Sequence, residues 1–597
     1  MVLGVVMLLG PIAAAAMPAR FTAVWEDDTL RSGNDLGRWC DVQCQPELAG
    51  RRLFDARNSV RWVLDNTLAP AKDPEAFVEF WGWDRLPGQV VAFVNESEPS
   101  AEALPPHLLV APSLPIGRPN AKWGIPATNL RVLARWVRRI VWQPAAPRYQ
   151  PNTVFYRDGR QSSYRRLRFD GESIRLLRDE GIEEAPLTAI AELHLPASDA
   201  WDAYFEQLAA LDPDGKARIM QLETAQGLRV TTSNERFQAD FDAQNRRPDR
   251  DQDPQRRWYH RVQPVWSVDP LWLPYGQIRL WRWFPSQHVP LSCFEPVASR
   301  RQSILGGAWQ WMADRNVQGG PLEAGQRPYA WGFGVQATSE LEFIVPDCAR
   351  SFRTRLGMDR VAGEWGAARA SLLFDAATRK RLYDSPLLLG TGNVVDTGPL
   401  ALELPMGQSG RLVLRAEMAG DDRLEHADPL DIRAALDWLE PELELDPARL
   451  RAEVLRRAPR LIPAWQGWTV DSSPSVGSFL ANYWDESPGR AAYRLAGVAS
   501  AAGLTISRRL QISAQKDRLL LVVDRGEQSS PSRIEIRVEG QTVRELDVPV
   551  RRWGQSRTTT VSLAEYHGRQ ITVELIQRGE DAQSLVDWEK LELRGNE

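Results

Sequence analysis

Between Ala464 and Glu597 the chain repeats one pattern: SRRLQIS, RLLLVVDR, RIEIRVEG, QTVRELDVPV, RQITVELIQR and WEKLEL follow one another, each alternating apolar and polar residues. A period of two sends successive side chains to opposite faces of a strand, and a helix cannot keep one apolar face with that period. Turns carrying Gly break the runs roughly every ten residues, the spacing of an antiparallel sandwich. A C-terminal β-sandwich is expected over 464–597, and the fold class of the whole chain is expected to be mainly β.

A chain of 597 residues needs several cores, because a single core stops growing near ~250–300 residues. Two β-rich domains are expected first, over 20–150 and 151–296, built of small β-repeat units. The clearest unit runs from Val154 to Pro196, with strand breaks at Asp158-Gly159, Asp170-Gly171 and Glu180-Gly181. The stretch from Phe21 resembles its start and the stretch from Asp269 resembles its end, giving two or three copies. The segment DAQNRRPDRDQDPQRR (242–257) has almost no apolar residue and reads as a charged surface loop. Helix is expected at three places. Thr128–Trp142 spaces Leu130, Leu133, Ala134, Val137 and Val141 helically. ASDAWDAYFEQLAALDPDG has a cap at Ser198, and 447–463 is a connecting helix opened by Asp446-Pro447.

Net charge of −5 and a pI near 5.9 give no overall attraction for nucleic acid. The first nineteen residues, an apolar run with small residues before Arg20, read as a signal peptide (1–19) and a secreted, periplasmic or cell-surface chain. The usual positive n-region is missing, which leaves an uncleaved anchor or a misassigned start codon as the alternatives. No later stretch is long and apolar enough to span a membrane. Cys40 and Cys44 invite a local disulfide, while Cys293 and Cys348 stand alone. Most of the 24 tryptophans fall inside strand-like alternation, which assigns them to packing before binding.

YAWGFGVQATSELEFIVP (329–346) contains Gly-x-Gly-x-x-Ala at Gly332, Gly334 and Ala337. A dinucleotide loop must open a helix, whereas Val335, Ala337, Leu341, Phe343 and Val345 mark a strand. GFGVQATSELEFIV, FRTRLGMD, ARASLLFDAATRKRLYDSPLLLG, GRLVLRAEM and DRLEHADPLDIRAALDWLEP then follow in order. This series resembles the NPCBM family, a carbohydrate-binding module found beside glycoside hydrolases. Ala337 and Ser339, Gly357 and Asp359, and Tyr383 and Ser385 fall at matching places. Gln336 stands where the family commonly has His, and the late acidic segment is drawn out, with Trp438 well past Asp428. The resemblance implies a galactose-binding-like jelly roll over 297–446, and the C-terminal sandwich is read as a second of that kind.

A sugar site needs an aromatic face for the C–H side of a pyranose and polar groups for its hydroxyls. Trp309, Trp311, Tyr329, Trp331 and Trp365 are the candidates inside the module. Asp421, Asp422, Glu425 and Asp428 are the candidate metal ligands, for a structural Ca²⁺; no other cofactor is indicated. No nucleophile elbow, zinc-protease motif or phosphate loop is present in the sequence, and the six histidines are scattered. The leading reading is a secreted, non-catalytic protein that binds cell-surface or extracellular polysaccharide. The alternatives are a structural or adhesive envelope protein, favoured by buried tryptophans, and a glycoside hydrolase, which needs a pocket with two carboxylates.

Overall fold

A computed structural model describes residues 19–595, excepting 38–45, 56, 71–72, 95–105, 117–128, 147, 213–216, 234–237, 242–257, 303–308, 375–379, 406, 420–432, 458–460, 462–467, 471–476, 484–486, 497–502, 551–557 and 582–583. Cys40, Cys44, the N-terminal apolar run and the charged stretch 242–257 lie outside the described residues. The rest is mainly β, with two α-helices among the described residues. Cys293 and Cys348 are free and buried.

Residues 21–285 form one fourteen-stranded antiparallel sheet with small three-stranded sheets beside it, and the large sheet crosses residue 150 without a break. Its strands fall into four alike units, more than the sequence suggests. Each unit opens with a hairpin and returns beside its opening strand, passing between them through a small three-stranded sheet in three units and through the added strands His107–Pro112 and Leu130–Leu133 in the second: Ala23 faces Val63, Val78 faces Ile140, Val154 faces Leu193 and Met220 faces Trp283. Returning strands also join neighbouring units, through Ile140 to Leu193 and Trp281 to Val63. In three units a 3₁₀ turn precedes the return, at Ala134–Trp136, Leu187–Ala189 and Tyr275–Gln277. The expected helix over Thr128–Trp142 is therefore corrected to strand Leu130–Leu133, a 3₁₀ turn and strand Val137–Val141. Its branched side chains are buried between neighbouring strands, and that burial outweighs a helical spacing only a few turns long.

Helix α1 (Ala200–Leu211) is capped by Asp199, whose carboxylate accepts from the Trp201 and Asp202 amides, rather than by Ser198. Its Trp201 indole donates to the Ile344 carbonyl of the following sandwich at 2.8 Å. Helix α2 (Pro447–Arg457) begins as the sequence indicates, with Asp446 accepting from the Arg449 amide at 2.9 Å. Arg457 pairs with Asp202 and ties the two helices together.

The middle region is a sandwich. One sheet orders Met312–Ala313, Gly332–Gln336, Ala435–Leu445, Ala349–Met358 and Val394–Asp396; the other orders Ala298–Arg301, Ser339–Val345, Gly410–Met418, Ala367–Phe374 and Lys380–Asp384. Phe333 of the first meets Phe343 of the second at 5.3 Å between ring centres. The C-terminal region repeats the plan with two five-stranded sheets. Across them Trp588 donates to the Gln577 side chain at 2.9 Å, and Gln577 donates to the Leu495 carbonyl at 3.0 Å.

Close backbone approach explains the two glycines of the Gly-x-Gly stretch. A Cβ on Gly332, at φ 151°, would stand 2.1 Å from the Trp438 carbonyl oxygen, and one on Gly334 would stand 2.5 Å from the backbone of Asn316. The motif serves a tightly laid strand. Gly334→Ala should lower unfolding stability by about 1–3 kcal/mol in denaturant titration. Gly276→Ala, where a Cβ meets nothing within 4 Å, should be nearly silent.

Candidate functional site

Strand register places several connections at one end of the middle sandwich. Arg301 faces Ser339, Gln336 faces Ala435, Met358 faces Leu436 and Ala368 faces Met418. Trp309 follows the first of these strands, and its carbonyl accepts from the Arg301 guanidinium. Trp311 is half-buried edge-on against Phe333 at 6.0 Å. Trp365 lies in the connection between Met358 and Ala367. Gly366 beside it packs against the Arg433 carbonyl, 2.7 Å from where a Cβ would stand, and its own carbonyl accepts from the Gly390 amide at 2.8 Å. Trp309 and Trp365 are 50% and 45% exposed, and they are the only exposed tryptophans among those whose burial is described.

Beneath this end lies a buried carboxyl pair. Asp359 accepts from the Asn316 side chain at 3.2 Å and from the Val361 amide at 2.8 Å. Asp437, opposite Gly334 and Gly357, is wholly buried; burial first and the Asp359 charge second push its pKa well above the carboxylate range. Trp438 follows directly in the closing strand, also fully buried. Ser385 is structural as well, accepting from the Ala370 amide at 2.8 Å.

Two of the aromatic candidates, Tyr329 and Trp331, are buried, 6% and 1% exposed. They precede the strand Gly332–Gln336 at the opposite end from Trp309, where the four-unit sheet covers the sandwich. Sequence reasoning missed what gathers there. Glu440 has φ 48°, a left-handed residue inside the strand Ala435–Leu445, and the neighbouring register shifts between Arg353 and Arg355. Its carboxylate accepts from the Trp62 indole at 3.0 Å and pairs with Arg61 at 3.0 Å and with Arg355. His288 pairs with Glu442 at 2.8 Å. A cleft of about 350 Å³ remains between the sheet and the sandwich. Its sequence signals were isolated arginines and carboxylates far apart in the chain, which no motif links.

Asp421, Asp422, Glu425 and Asp428 lie outside the described residues. Among the described residues no group of three or more His, Cys, Asp or Glu could hold a metal ion, and no helix is long and apolar enough to cross a membrane.

Residues 295–435 match the NPCBM/NEW2 domain family. Curated protein sequences give no match. Among solved structures, CBM51-2 in complex with GlcNAc and INT domains from Clostridium perfringens ZmpB is 14% identical, with 32% of this chain and 37% of that chain covered and a TM-score of 0.22. CBM51 from Clostridium perfringens GH95 in complex with methyl-galactose is 18% identical over 26% of this chain and 99% of that one, with a TM-score of 0.21. The M60 catalytic domain with CBM51-1 and CBM51-2 from Clostridium perfringens ZmpB is 11% identical over 74% and 51%, with a TM-score of 0.23.

The His288–Glu442 pair makes the junction pH-sensitive. The Glu442 hydrogen bond raises the His288 pKa above 6.5, against the effect of burial. Burial works to raise Glu442, but the His288 bond outweighs it and holds the carboxyl below 4.5. The histidine's contribution is full below pH 6.5 and is lost as pH rises through its folded pKa; the carboxylate's is full above pH 4.5 and is lost as pH falls through its own. His288→Gln should flatten the decline in melting temperature between pH 6 and 9. An unchanged profile would show that the pair is not coupled to folding.

Proposed function

From the NPCBM/NEW2 match over residues 295–435, we propose that the protein binds carbohydrate at the loop end of its middle sandwich, with Trp309 and Trp365 as the stacking faces. The observation that carries this is selective exposure: among the tryptophans whose burial is described, all others are buried or half-buried, and the two left open share one end of the module. A solvent-facing indole offers a flat apolar face at little conformational cost, suited to the C–H side of a pyranose. Arg301 and Trp311 hold the Trp309 segment in place. The target is polysaccharide at a cell surface or outside the cell, and the chain acts without catalysis.

The junction carboxylates support the non-catalytic reading. Glu26 is paired with Arg218, Asp28 with Arg61, Glu440 with Arg61 and Arg355, and Glu442 with His288. A glycosidase acid must be kept protonated, whereas Glu26, Asp28 and Glu440 each have a guanidinium beside them and the His288 bond holds Glu442 below the usual carboxylate range. The burial of tryptophans through the four-unit sheet favours a scaffold role for that part of the chain, the narrower form of the structural reading.

Pull-down of the full chain against soluble and insoluble polysaccharides should find a bound glycan. Trp309→Ala and Trp365→Ala should each weaken binding roughly tenfold, as loss of about 1.4 kcal/mol implies. Folded protein that binds no glycan, or binding untouched in the double variant, would hand the lead to a structural envelope role.

A further inference from the structure

One carboxylate touches both of the segments that carry the exposed tryptophans. Asp359 Oδ1 accepts from the Val361 amide at 2.8 Å and so caps the 3₁₀ turn Arg360–Ala362, which opens the connection to Trp365. The same oxygen accepts from the Asn316 side chain at 3.2 Å. Asn316 closes the loop that follows Trp309 and Trp311, its own Oδ1 accepting from the Gln318 and Gly320 amides at 3.1 and 2.8 Å. Gly366, next to Trp365, packs on the turn that Asp359 caps: a Cβ added there would stand 2.6 Å from the Ala362 Cβ.

Asp437 faces the other side of Asp359. Asp359 is 0% and Asp437 1% exposed, and Asp359 Oδ2 and both Asp437 oxygens are buried with no donor directed at them. Among the described residues, the elements packed around the pair bring it no cation. Gly334 and Gly357 flank Asp437 in the neighbouring strands. In the loop above, Asp314 pairs with Arg229 and Arg282, and Arg315 acts on Glu223. Arg360 pairs with Glu323, Arg355 with Glu440, Asp28 and Asp396, and Arg433 is exposed. Burial and Asp359 are what act on the Asp437 carboxyl, and both favour its protonated form. Two carboxylates in contact cannot both ionise cheaply, and one proton between them supplies the missing donor. Asp437 is fixed in mid-strand between two partners. Asp359 stands just past the end of the strand Ala349–Met358, where the chain turns away, so repulsion would move Asp359.

We propose that Asp359 and Asp437 share one proton and are the positioning residues of the loop end: the proton keeps Asp359 in place under both tryptophan segments, and its loss at alkaline pH releases them and weakens glycan binding. This rests on the loop-end reading and adds its regulation. The sign follows from linkage: the folded chain holds this proton to higher pH than the unfolded chain, so the pair's contribution is full below pH 3.8 and is lost as pH rises through the folded value.

The test is a set of binding isotherms of the full chain on chitin, xylan and galactan between pH 6 and 10. Affinity of the native chain is expected to fall roughly tenfold or more toward pH 10. Asp437→Asn, whose amide supplies the donor that the proton supplied, should keep the pH 6 affinity throughout. Should that variant fail to fold, Asp359→Asn serves: its amide oxygen still accepts from Val361 and Asn316 while its NH₂ group faces Asp437. His288 and Glu442 are unchanged in both variants, so their titration cancels in the comparison. A flat profile in the native chain, or an equal fall in the Asn variants, overturns the proposal. So does a melting temperature raised by Ca²⁺ in the native chain and not in Asp437→Asn, which would put a cation between the carboxyls. Failure of the loop-end reading is seen separately, as no polysaccharide bound at pH 6 or binding that survives Trp309→Ala with Trp365→Ala, and the proposal falls with it.

Discussion

The carboxylate of Glu440 is where the sandwich is fastened to the four-unit sheet. A left-handed residue in mid-strand costs energy that persists only when surrounding contacts hold it. Here those contacts are the Trp62 indole, Arg61 and Arg355, all directed at one side chain that is 2% exposed. Removing one partner from such a buried cluster typically costs about 3–5 kcal/mol, because the remaining charge is left unpaired. The local irregularity turns the carboxylate out of the sandwich toward the sheet, as bulges do where a strand must re-aim a side chain.

Much follows from that anchor. It covers Tyr329 and Trp331, so the end of the module that carries them cannot meet a large ligand. It holds Arg355 beside Asp28 and Asp396 and brings His288 to Glu442, so the cleft between the bodies is walled by fixed ion pairs. At the opposite end stand the exposed Trp309 and Trp365. Helices α1 and α2 tie the remainder: Trp201 reaches the sandwich, Arg457 reaches α1, and the strand Gly477–Tyr483 of the last sandwich lies beside α1.

The sequence carried the β class, the middle module and the N-terminal cap of α2 because each rests on local pattern or on motifs within one domain. Val335 to Val345 reads as a strand from period alone, and it is one. Thr128–Trp142 misleads because its few apolar residues satisfy a helical spacing as well as an extended one, and only neighbouring strands decide between them. The β-unit from Phe77 to Val141 is hidden because its return strand lies within the helically spaced run Thr128–Trp142, and a unit is defined by a return strand pairing with its opening strand, as Ile140 does with Val78. Trp331 looked like a binding residue because its cover comes from Arg61 and Trp62, far away in sequence. Asp437 carries no motif of its own, and only the fold shows that it lies against Asp359.

Hydrogen–deuterium exchange of the full chain, with and without a bound polysaccharide, tests the central claim most directly, because it reports the site without altering it. The account predicts slowed exchange in the Trp309–Ala313 and Ala362–Ala367 segments, with the interior of the C-terminal sandwich unchanged. Slowing confined to the C-terminal sandwich or to the outer strands of the four-unit sheet would contradict it.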